Sequence, residues 1–263
     1  TYAENYDYDA VGNILAVIHT AANGSWTRAY SYEEPSQLEA AKTNNRLSNT
    51  AVGNVVEPYT HDAHGSMTSM PHLPLMQWDY LDRLTASSRQ VVQNGIPETT
   101  YYAYDGAGQR VRKVTERAAA AGAMPTRKAE RIYLGDFEVY REYDGAGTTS
   151  LQRESLHIVD GESRVALVET RVLGIDVSPP QLVRFQLCNH LGSASLELDE
   201  HAQIISYEEY HPYGSTSYQA GHSLAEVSLK RYRYTGKERD EETGLAYHGA
   251  RYYAPWLVRW TSA

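Results

Sequence analysis

One short pattern recurs along this chain: tyrosine and aspartate, two variable residues, then glycine. Complete copies begin at Tyr8, Tyr104 and Tyr143, and a degenerate copy begins at His61 with Tyr59 two residues before it. Such recurrence constrains the fold more than any single residue, because it indicates one supersecondary unit used many times. The pattern positions, which we predict to form the repeat turns, are Tyr8, Asp9, Gly12, Asp62, Gly65, Tyr104, Asp105, Gly108, Tyr143, Asp144 and Gly147.

The spacing of the pattern is that of a repeat array. Asp62, Asp82 and Asp105 are separated by 20 and 23 residues, a period typical of repeat proteins. Half-copies over 44–47 and 78–84 lie between the fuller ones. The chain opens almost inside a copy and shows no basic and apolar leader of the signal-peptide kind. We therefore expect a fragment of a longer protein, with further repeats upstream.

The chemistry of the pattern is that of a tight turn. Residues 101–104 alternate like a strand, 105–108 supply Asp and Gly, and 109–114 alternate again. An aspartate side chain accepts hydrogen bonds from turn amides, and glycine adopts a positive φ without strain. The pattern therefore predicts a β-hairpin at each copy.

Strand-like alternation continues to the C-terminal part of the chain, and no segment sustains a helical period. Stacked hairpins must join into a continuous sheet to bury their apolar faces, and a long sheet avoids exposed edges by curling or closing. The sequence therefore predicts an all-β fold whose sheet curls around a space. We expect strands over 131–140, 153–159, 163–173, 182–188, 194–198 and 203–210. We expect a mobile loop or a single helical turn over 116–130, and a loop over 215–229 with a short helix over Ser223–Ser228.

Composition narrows the class of protein. The chain has 22 Tyr and only 2 Phe, which suits sheet surfaces that are half packed and half wet. A net charge of −9 argues against binding to nucleic acid or to an anionic membrane surface, and favours solubility or a cationic partner. The single cysteine, Cys188, excludes an internal disulfide framework. No run of 18 apolar residues predicts a membrane span.

The C-terminal stretch from Arg231 to Trp256, RYRYTGKERDEETGLAYHGARYYAPW, is the most specific motif in the chain. It resembles the RHS-associated core of the RHS superfamily, and the tyrosine-aspartate copies resemble the YD repeats of the same superfamily. Segments 133–135 and 254–256 are most similar to the C subunits of tripartite insecticidal toxin complexes. The core positions are Tyr234, Gly236, Glu238, Arg239, Asp240, Gly244, Gly249, Arg251, Tyr252, Tyr253, Pro255 and Trp256.

The resemblance implies a hollow shell of YD repeats over 1–150, further shell strands over 151–230, and an end plug formed by the core over 231–263. It implies that the shell encloses a toxic C-terminal polypeptide and helps to deliver it. The expected partners are the protein's own upstream repeats and downstream toxin domain, a second shell-forming subunit and a translocation pore. No cofactor, nucleic acid or direct membrane insertion is expected, and the protein is expected to be exported from bacteria.

In several members of the superfamily an aspartyl-type autoprotease next to the core releases the toxin. The resemblance places its aspartates beyond the core, around a following Asp-Pro, and the chain ends at Ala263 before that point. We therefore carry over no catalytic aspartate. The chain also has Val258 where glycine is expected, so a positive φ at this position would strain the turn.

Two constellations could suggest catalysis. Asp240 lies next to Glu241 and Glu242, and paired carboxylates can act as acid and base. Neighbouring residues of a strand point to opposite faces, so a turn held by salt bridges is the preferred interpretation and Asp240 a minor catalytic candidate. Cys188 precedes His190 by two residues, but a lone cysteine in an apolar strand is usually a small buried hydrophobe.

Histidines at 61, 64 and 72 could suggest a metal, but their spacing matches no known metal motif and they coincide with a repeat turn, so we predict none. Three functions remain in competition. The first is a shell that encloses and delivers a toxic polypeptide. The second is part of a self-cleaving protease, and the third is a cell-surface or carbohydrate-binding module, against which the single cysteine counts.

Overall fold

The computed structural model describes residues 1–39, 41–161, 163–221 and 230–262. These residues contain 23 strands joined by turns and loops, one 3-10 turn over Tyr234–Gly236 and no α-helix. Among them there is no helix long and apolar enough to cross a membrane. The predicted all-β class is confirmed. The strands are β1 Tyr2–Tyr8, β2 Ile14–Ala21, β3 Trp26–Ser31, β4 Asn49–Val52, β5 Val55–Pro58, β6 Thr60–His61, β7 Met67–Ser69, β8 Leu75–Trp78, β9 Leu84–Ser88, β10 Thr99–Tyr104, β11 Arg110–Glu116, β12 Arg127–Leu134, β13 Phe137–Tyr143, β14 Thr149–Asp160, β15 Ser163–Leu173, β16 Gln181–Cys188, β17 Ala194–Leu198, β18 Ile204–Tyr210, β19 Thr216–Gly221, β20 Glu238–Arg239, β21 Ala246–Tyr247, β22 Tyr252–Ala254 and β23 Arg259–Trp260.

The chain divides into two compact units, Thr1–Met76 and Gln77–Ser262. The first contains a five-stranded antiparallel sheet in the order β1 to β5 and the two-stranded pair of β6 with β7. Its most buried apolar side chains include Leu47 and Leu73. The finer division of the sequence at residues 150 and 230 stays a prediction.

The second unit contains most of a twelve-stranded sheet, β8 to β19 in chain order, and a four-stranded sheet, β20 to β23. Each strand pairs antiparallel with its neighbours along the chain. This meander is the arrangement that short turns between successive hairpins produce.

The turn at Asp105 shows how the repeated pattern works. Its amide donates to the Gln109 carbonyl at 2.9 Å, and the Gly108 amide donates back to the Asp105 carbonyl at 3.1 Å. Its Oδ1 accepts from the amides of Ala107 and Gln109, both at 2.9 Å. Gly108 has a φ of +79°, which glycine adopts at little cost.

The same turn occurs more often than the sequence pattern indicates. Its two backbone hydrogen bonds recur at the other pattern aspartates and also where no Tyr-Asp pair is present. At Asp79 and Asp199 the last turn residue is not glycine, and Asp82 and Ala202 adopt φ of +56° and +58°. Turns with this backbone pattern begin at Asp9, Asp62, Asp79, Asp105, Asp144, Asn189, Asp199, His211 and Arg233.

Most strand predictions in the second half of the chain are confirmed. Those over 153–159, 163–173, 182–188, 194–198 and 203–210 fall on β14 to β18 in order. The loop predicted over 116–130 is limited to 117–126, because its two ends belong to β11 and β12.

The prediction of a loop over 215–229 is wrong for residues 216–221, which form β19. This strand pairs with β18 along its whole length. The ring of Tyr218 packs at 6.2 Å from that of Tyr207, so cross-strand aromatic contact stabilises an edge strand that lacks an apolar run. The short helix predicted over Ser223–Ser228 lies outside the described residues.

The sheet of the second unit curls, as two contacts of β22 demonstrate. The Tyr252 hydroxyl lies 2.9 Å from that of Tyr104 in β10. The next residue, Tyr253, donates its hydroxyl to the Tyr213 carbonyl, beyond β18, at 3.0 Å. In a flat sheet β10 and β18 would be about 38 Å apart, at roughly 4.8 Å for each strand. Because consecutive residues of one short strand contact both regions, the sheet bends around the C-terminal segment.

Candidate functional site

The C-terminal segment, residues 230–262, lies against the inner, concave face of the twelve-stranded sheet and carries the predicted core positions. Tyr252 and Ala254 of β22 and Leu257, between β22 and β23, are buried. Between these strands and the sheet lies a set of charged side chains that are buried or half-buried. We call this set the charge cluster; its members are Arg110, Lys113, Arg131, Glu138, Arg231, Glu238, Asp240 and Glu242.

Arg110, the first residue of β11, is the centre of the cluster. Its Nη1 lies 2.6 Å from Oδ2 of Asp240, and its Nη2 lies 2.6 Å from Oε2 of Glu238. The same guanidinium donates to the hydroxyls of Tyr133 at 3.0 Å and Tyr252 at 3.2 Å. Burial opposes its charge, but Asp240 and the surrounding groups raise the pKa of Arg110 well above its usual value. One strand residue therefore ties the sheet to two residues of the core motif.

Lys113 extends this connection one inward-facing position further. Its Nζ lies 3.0 Å from Oδ1 of Asp240 and 3.0 Å from Oε2 of Glu242. Tyr102 donates its hydroxyl to the other Glu242 oxygen at 3.0 Å. Burial and the charge of Asp240 raise the pKa of Glu242, although Lys113 acts in the opposite direction. Burial disfavours the ammonium, but Asp240 and Glu242 raise the pKa of Lys113.

Glu138 of β13 is the second centre. Its Oε2 lies 2.9 Å from Arg231 and 3.1 Å from Arg131, and its Oε1 lies 2.8 Å from Nε2 of His157. The Tyr232 hydroxyl also donates to this carboxylate. Burial alone would raise the pKa of Glu138, but Arg231, His157 and Arg131 hold it well below its usual range. Arg231 also pairs with Glu238 at 2.9 Å, which joins the two centres.

A further group of buried ion pairs lines β15 to β18. Arg184 pairs with Glu169 at 2.9 Å and with Glu197 at 3.2 Å. Glu208 accepts from Lys230 at 3.1 Å and from Arg233 at 2.9 Å. Burial would raise the pKa of Glu208, but Arg233 and Lys230 lower it. The segment from 230 to 242 is thus anchored by opposite charges at both ends.

This geometry supports a structural role for Asp240 better than a catalytic one. Its Oδ2 accepts from Arg110 at 2.6 Å and its Oδ1 from Lys113 at 3.0 Å, and the residue is fully buried. A general acid or base needs an oxygen that can reach a substrate proton. The hypothesis of a turn held by salt bridges agrees with these contacts.

The other core positions support the same segment. Gly236, Gly244 and Gly249 adopt φ of +66°, +74° and +83°. Arg239 donates from Nε to the Gly244 carbonyl at 3.1 Å. The Tyr234 hydroxyl donates to the Pro212 carbonyl, and the Trp256 ring lies beside Gly244. The Arg251 guanidinium lies 4.4 Å from the centre of the Trp260 ring. The Pro255 carbonyl accepts a hydrogen bond from the Val258 amide. Val258 has a φ of +56°, so the expected positive φ is present with a β-branched side chain in it.

The interpretation of Cys188 as a buried hydrophobe is wrong. This thiol, at the end of β16, is exposed. Partial burial raises its pKa, which disfavours a nucleophilic thiolate. Among the described residues no three His, Cys, Asp or Glu side chains gather as a metal site.

Sequence reasoning missed the sheet side of the charge cluster. Arg110, Lys113, Arg131 and Glu138 were assigned to strands but to no role. Arg110 and Lys113 are three residues apart, which strict alternation would place on opposite faces of the strand. An irregular register at Val111 brings both to Asp240, and no sequence pattern marked it.

Comparison with known proteins places this geometry in context. No family model matches the chain. It is 33% identical over 270 residues to toxin subunit YenC1 of Yersinia entomophaga and 31% identical over 272 residues to toxin subunit YenC2 of the same organism. Each match covers 100% of this chain, but the chain spans only 26% of the length of either relative.

Solved structures show the same fold. A crystal structure of TcdB2-TccC3-TEV superposes with a TM-score of 0.72 at 23% identity, and covers 99% of this chain with 14% of its own. The Photorhabdus luminescens Tc holotoxin pore superposes with a TM-score of 0.70, again at 23% identity, and covers 99% of this chain with 15% of its own. At this identity the likeness establishes the fold.

Proposed function

This chain belongs to the RHS-repeat family of toxin-complex C subunits, and from that premise we propose that it forms part of a β-sheet shell that encloses a toxic polypeptide and helps to deliver it. The observation that carries the proposal is the double ion pair of Arg110 with Glu238 and Asp240, both at 2.6 Å. A segment that closes a container must be held firmly by its wall. Buried, charge-assisted hydrogen bonds provide such a hold with defined geometry.

The repeat turns supply the other half of the proposed mechanism. Each turn reverses the chain with two backbone hydrogen bonds, so successive hairpins extend one sheet without long connections. The twist and curl of such a sheet bring distant strands to one central segment. In the second unit β10 and the turn after β18 both reach β22. A wall that curls around its own C-terminal segment suits the enclosure of a polypeptide.

The proposed partners follow from the relatives. TccC3 is present with TcdB2 in one solved structure and in a holotoxin pore in another. By analogy we assign to this chain a second shell-forming subunit, a translocation pore, repeats upstream and a toxic domain downstream. Export from the bacterium follows from the same assignment.

The competing functions receive less support. A self-cleaving protease built on Asp240 would need a carboxylate free to reach a peptide bond, whereas both of its oxygens are engaged by cations. No contact among the described residues favours a cell-surface or carbohydrate-binding module.

Limited proteolysis of the natural polypeptide that contains these residues, with an epitope at its C-terminus, tests the enclosure. We expect the C-terminal epitope to resist the protease while the protein is folded, and to be digested at once after the protein is unfolded. Asp240→Asn should make the epitope accessible at lower urea than in the natural protein, whereas Glu98→Gln, at an exposed ion pair with Lys128, should not. Cleavage of the epitope at equal rates in the folded and the unfolded protein would contradict enclosure.

A further inference from the structure

Arg164 of β15 differs from the arginines of the charge cluster. Its Nε donates to Nδ1 of His157 at 2.7 Å, and its guanidinium carbon lies 3.5 Å from the ring centre of Tyr232. Arg110, Arg131 and Arg231 each pair with a carboxylate, but no carboxylate of the described residues forms an ion pair with Arg164. Burial without such a partner lowers the pKa of this guanidinium, although nearby carboxylates act against the shift. Its charge therefore lacks a direct counterion.

Arg164 lines a cavity of about 420 Å³ in the second unit, which is open to solvent. Lys237 and His248 line the same cavity, together with Gln109, Tyr133 and Tyr247. The one carboxylate that contributes to the wall, Glu238, has one oxygen occupied by Arg110 and the other by Arg231. Among the described residues of the wall, Arg164 and Lys237 are therefore the charged side chains without an ion-pair partner. Both are positive.

His248 supplies an independent sign of a missing ligand. Its Nε2 is buried and has no hydrogen-bond partner among the described residues. Buried polar nitrogens are almost always hydrogen-bonded, so one without a partner requires an explanation. The ring packs edge-on against Trp260 at 4.9 Å, which fixes its position in the cavity wall. Burial and the charges of Lys237 and Arg251 lower the pKa of His248 to about 4, so its imidazole is neutral at pH 7 and can donate one N–H.

We propose that this cavity binds the oxyanion of a small ligand, either a phosphate ester or a carboxylate. Arg164 and Lys237 supply the positive charge, and His248 supplies a neutral donor. A guanidinium with free N–H groups and an ammonium are the usual protein partners of such oxyanions. Neither the repeat turns nor the anchoring of the C-terminal segment uses these groups, so the site is additional to the proposed shell.

Calorimetric titration of the 263-residue chain with inorganic phosphate, and separately with citrate, tests the site. Sodium chloride keeps the ionic strength constant, because nonspecific charge effects follow salt. We expect saturable binding of at least one of the two anions, with one anion for each chain. Binding of phosphate but not of citrate identifies a phosphate-ester site. Binding of citrate but not of phosphate identifies a carboxylate site.

Two variants assign the binding to this cavity. Lys237→Met removes an exposed charge from its wall and should weaken binding at least tenfold. Lys128→Met removes a charge that is also exposed but lies outside the wall, and should leave the affinity unchanged. Arg164→Gln should abolish binding, and if this variant fails to fold, Lys237→Met still decides. The proposal is overturned if neither anion binds, if Lys237→Met binds as the natural chain does, or if Lys128→Met weakens binding as much.

Discussion

Arg110 and Asp240, which are 130 residues apart in the chain, form an ion pair with 2.6 Å between Nη1 and Oδ2, and both side chains are 0% exposed. This pair joins the first residue of a wall strand to the core motif. Tyrosine hydroxyls, Lys113 and Glu238 surround it and bond to both terminal nitrogens of Arg110 and to the other oxygen of Asp240. A buried ion pair of this kind specifies position, since each charge is costly to bury without its partner.

Removing one charge of the pair should therefore destabilise the fold strongly. We expect Asp240→Asn to lower the free energy of unfolding by about 3–5 kcal/mol, because Arg110 and Lys113 would lose a shared counterion in a buried site. Urea unfolding followed by tyrosine fluorescence measures the change. Glu98→Gln, which removes an exposed partner of Lys128, should cost about 0–1 kcal/mol. Equal effects of the two substitutions would argue against the cluster as the anchor.

The turn at Asp105 allows a matched glycine comparison. Gly108 has a φ of +79° and Gly106 does not lie in the left-handed region, and a Cβ at either would meet no atom within 4 Å. Gly108→Ala should cost about 1 kcal/mol through backbone strain alone. Gly106→Ala should change the free energy of unfolding by no more than about 0.5 kcal/mol. The same loss at both positions, in thermal or urea unfolding, would refute the assigned turn geometry.

Val258 is a position where substitution should stabilise the protein. Its φ of +56° is unfavourable for a β-branched residue. Val258→Gly should raise the free energy of unfolding by about 1 kcal/mol, because relief of the strain exceeds the added flexibility of the unfolded chain. Val11→Gly, at a turn position without a positive φ, should instead lower it by about 0.5–1 kcal/mol. The midpoints of urea unfolding distinguish the two variants, provided that the dependence of the unfolding free energy on urea is the same in both. Destabilisation by Val258→Gly would contradict the assigned strain.

The pH dependence of stability should have a histidine component. Burial and two nearby cations lower the pKa of His248 from 6.5 to about 4 in the folded chain. Between these values the unfolded chain binds a proton that the folded chain does not, so stability falls as the pH decreases from about 6.5 to 4. His248→Gln should reduce this fall. The free energy of unfolding, measured in chloride buffers at pH 7 and pH 5, gives the size of this fall. His201→Gln, which removes an exposed imidazole, is the control.

A carboxylate should make stability depend on pH over a range below that of His248. Hydrogen bonds from Arg153 and Arg171 lower the pKa of Asp176 from 3.8 to about 2, although burial acts against them. Its stabilising contribution is complete above the unfolded value and is lost as the pH falls through the folded one. Asp176→Asn should therefore flatten the stability curve between about pH 4 and pH 2, a range separate from that of His248. No change of slope in this range would contradict the assigned ion pairs.

The sequence predicted the features that depend on local chemistry. Alternation located β14 to β18, and the Tyr-Asp copies located turns whose aspartate and glycine act as expected. It missed copies in which Asn189, His211 or Arg233 replaces the aspartate, because the backbone geometry tolerates other side chains. It also missed β19, where cross-strand contacts outweigh a weak local preference.

The candidate site was less accessible to prediction. Asp240 and Glu238 were singled out from the core motif, but their partner Arg110 lies in a strand with no unusual pattern. A contact across 130 residues depends on how the whole sheet curls, which local periodicity does not specify.

Electron cryo-microscopy of the natural polypeptide that contains these residues tests the central claim most directly. The proposed enclosure predicts a β-sheet wall around an internal space, with residues 230–262 seated inside the wall and Arg110 against Asp240. It also predicts weak, unassigned density for an enclosed polypeptide in that space. A compact particle without a lumen, or a C-terminal segment on the outer surface, would contradict it.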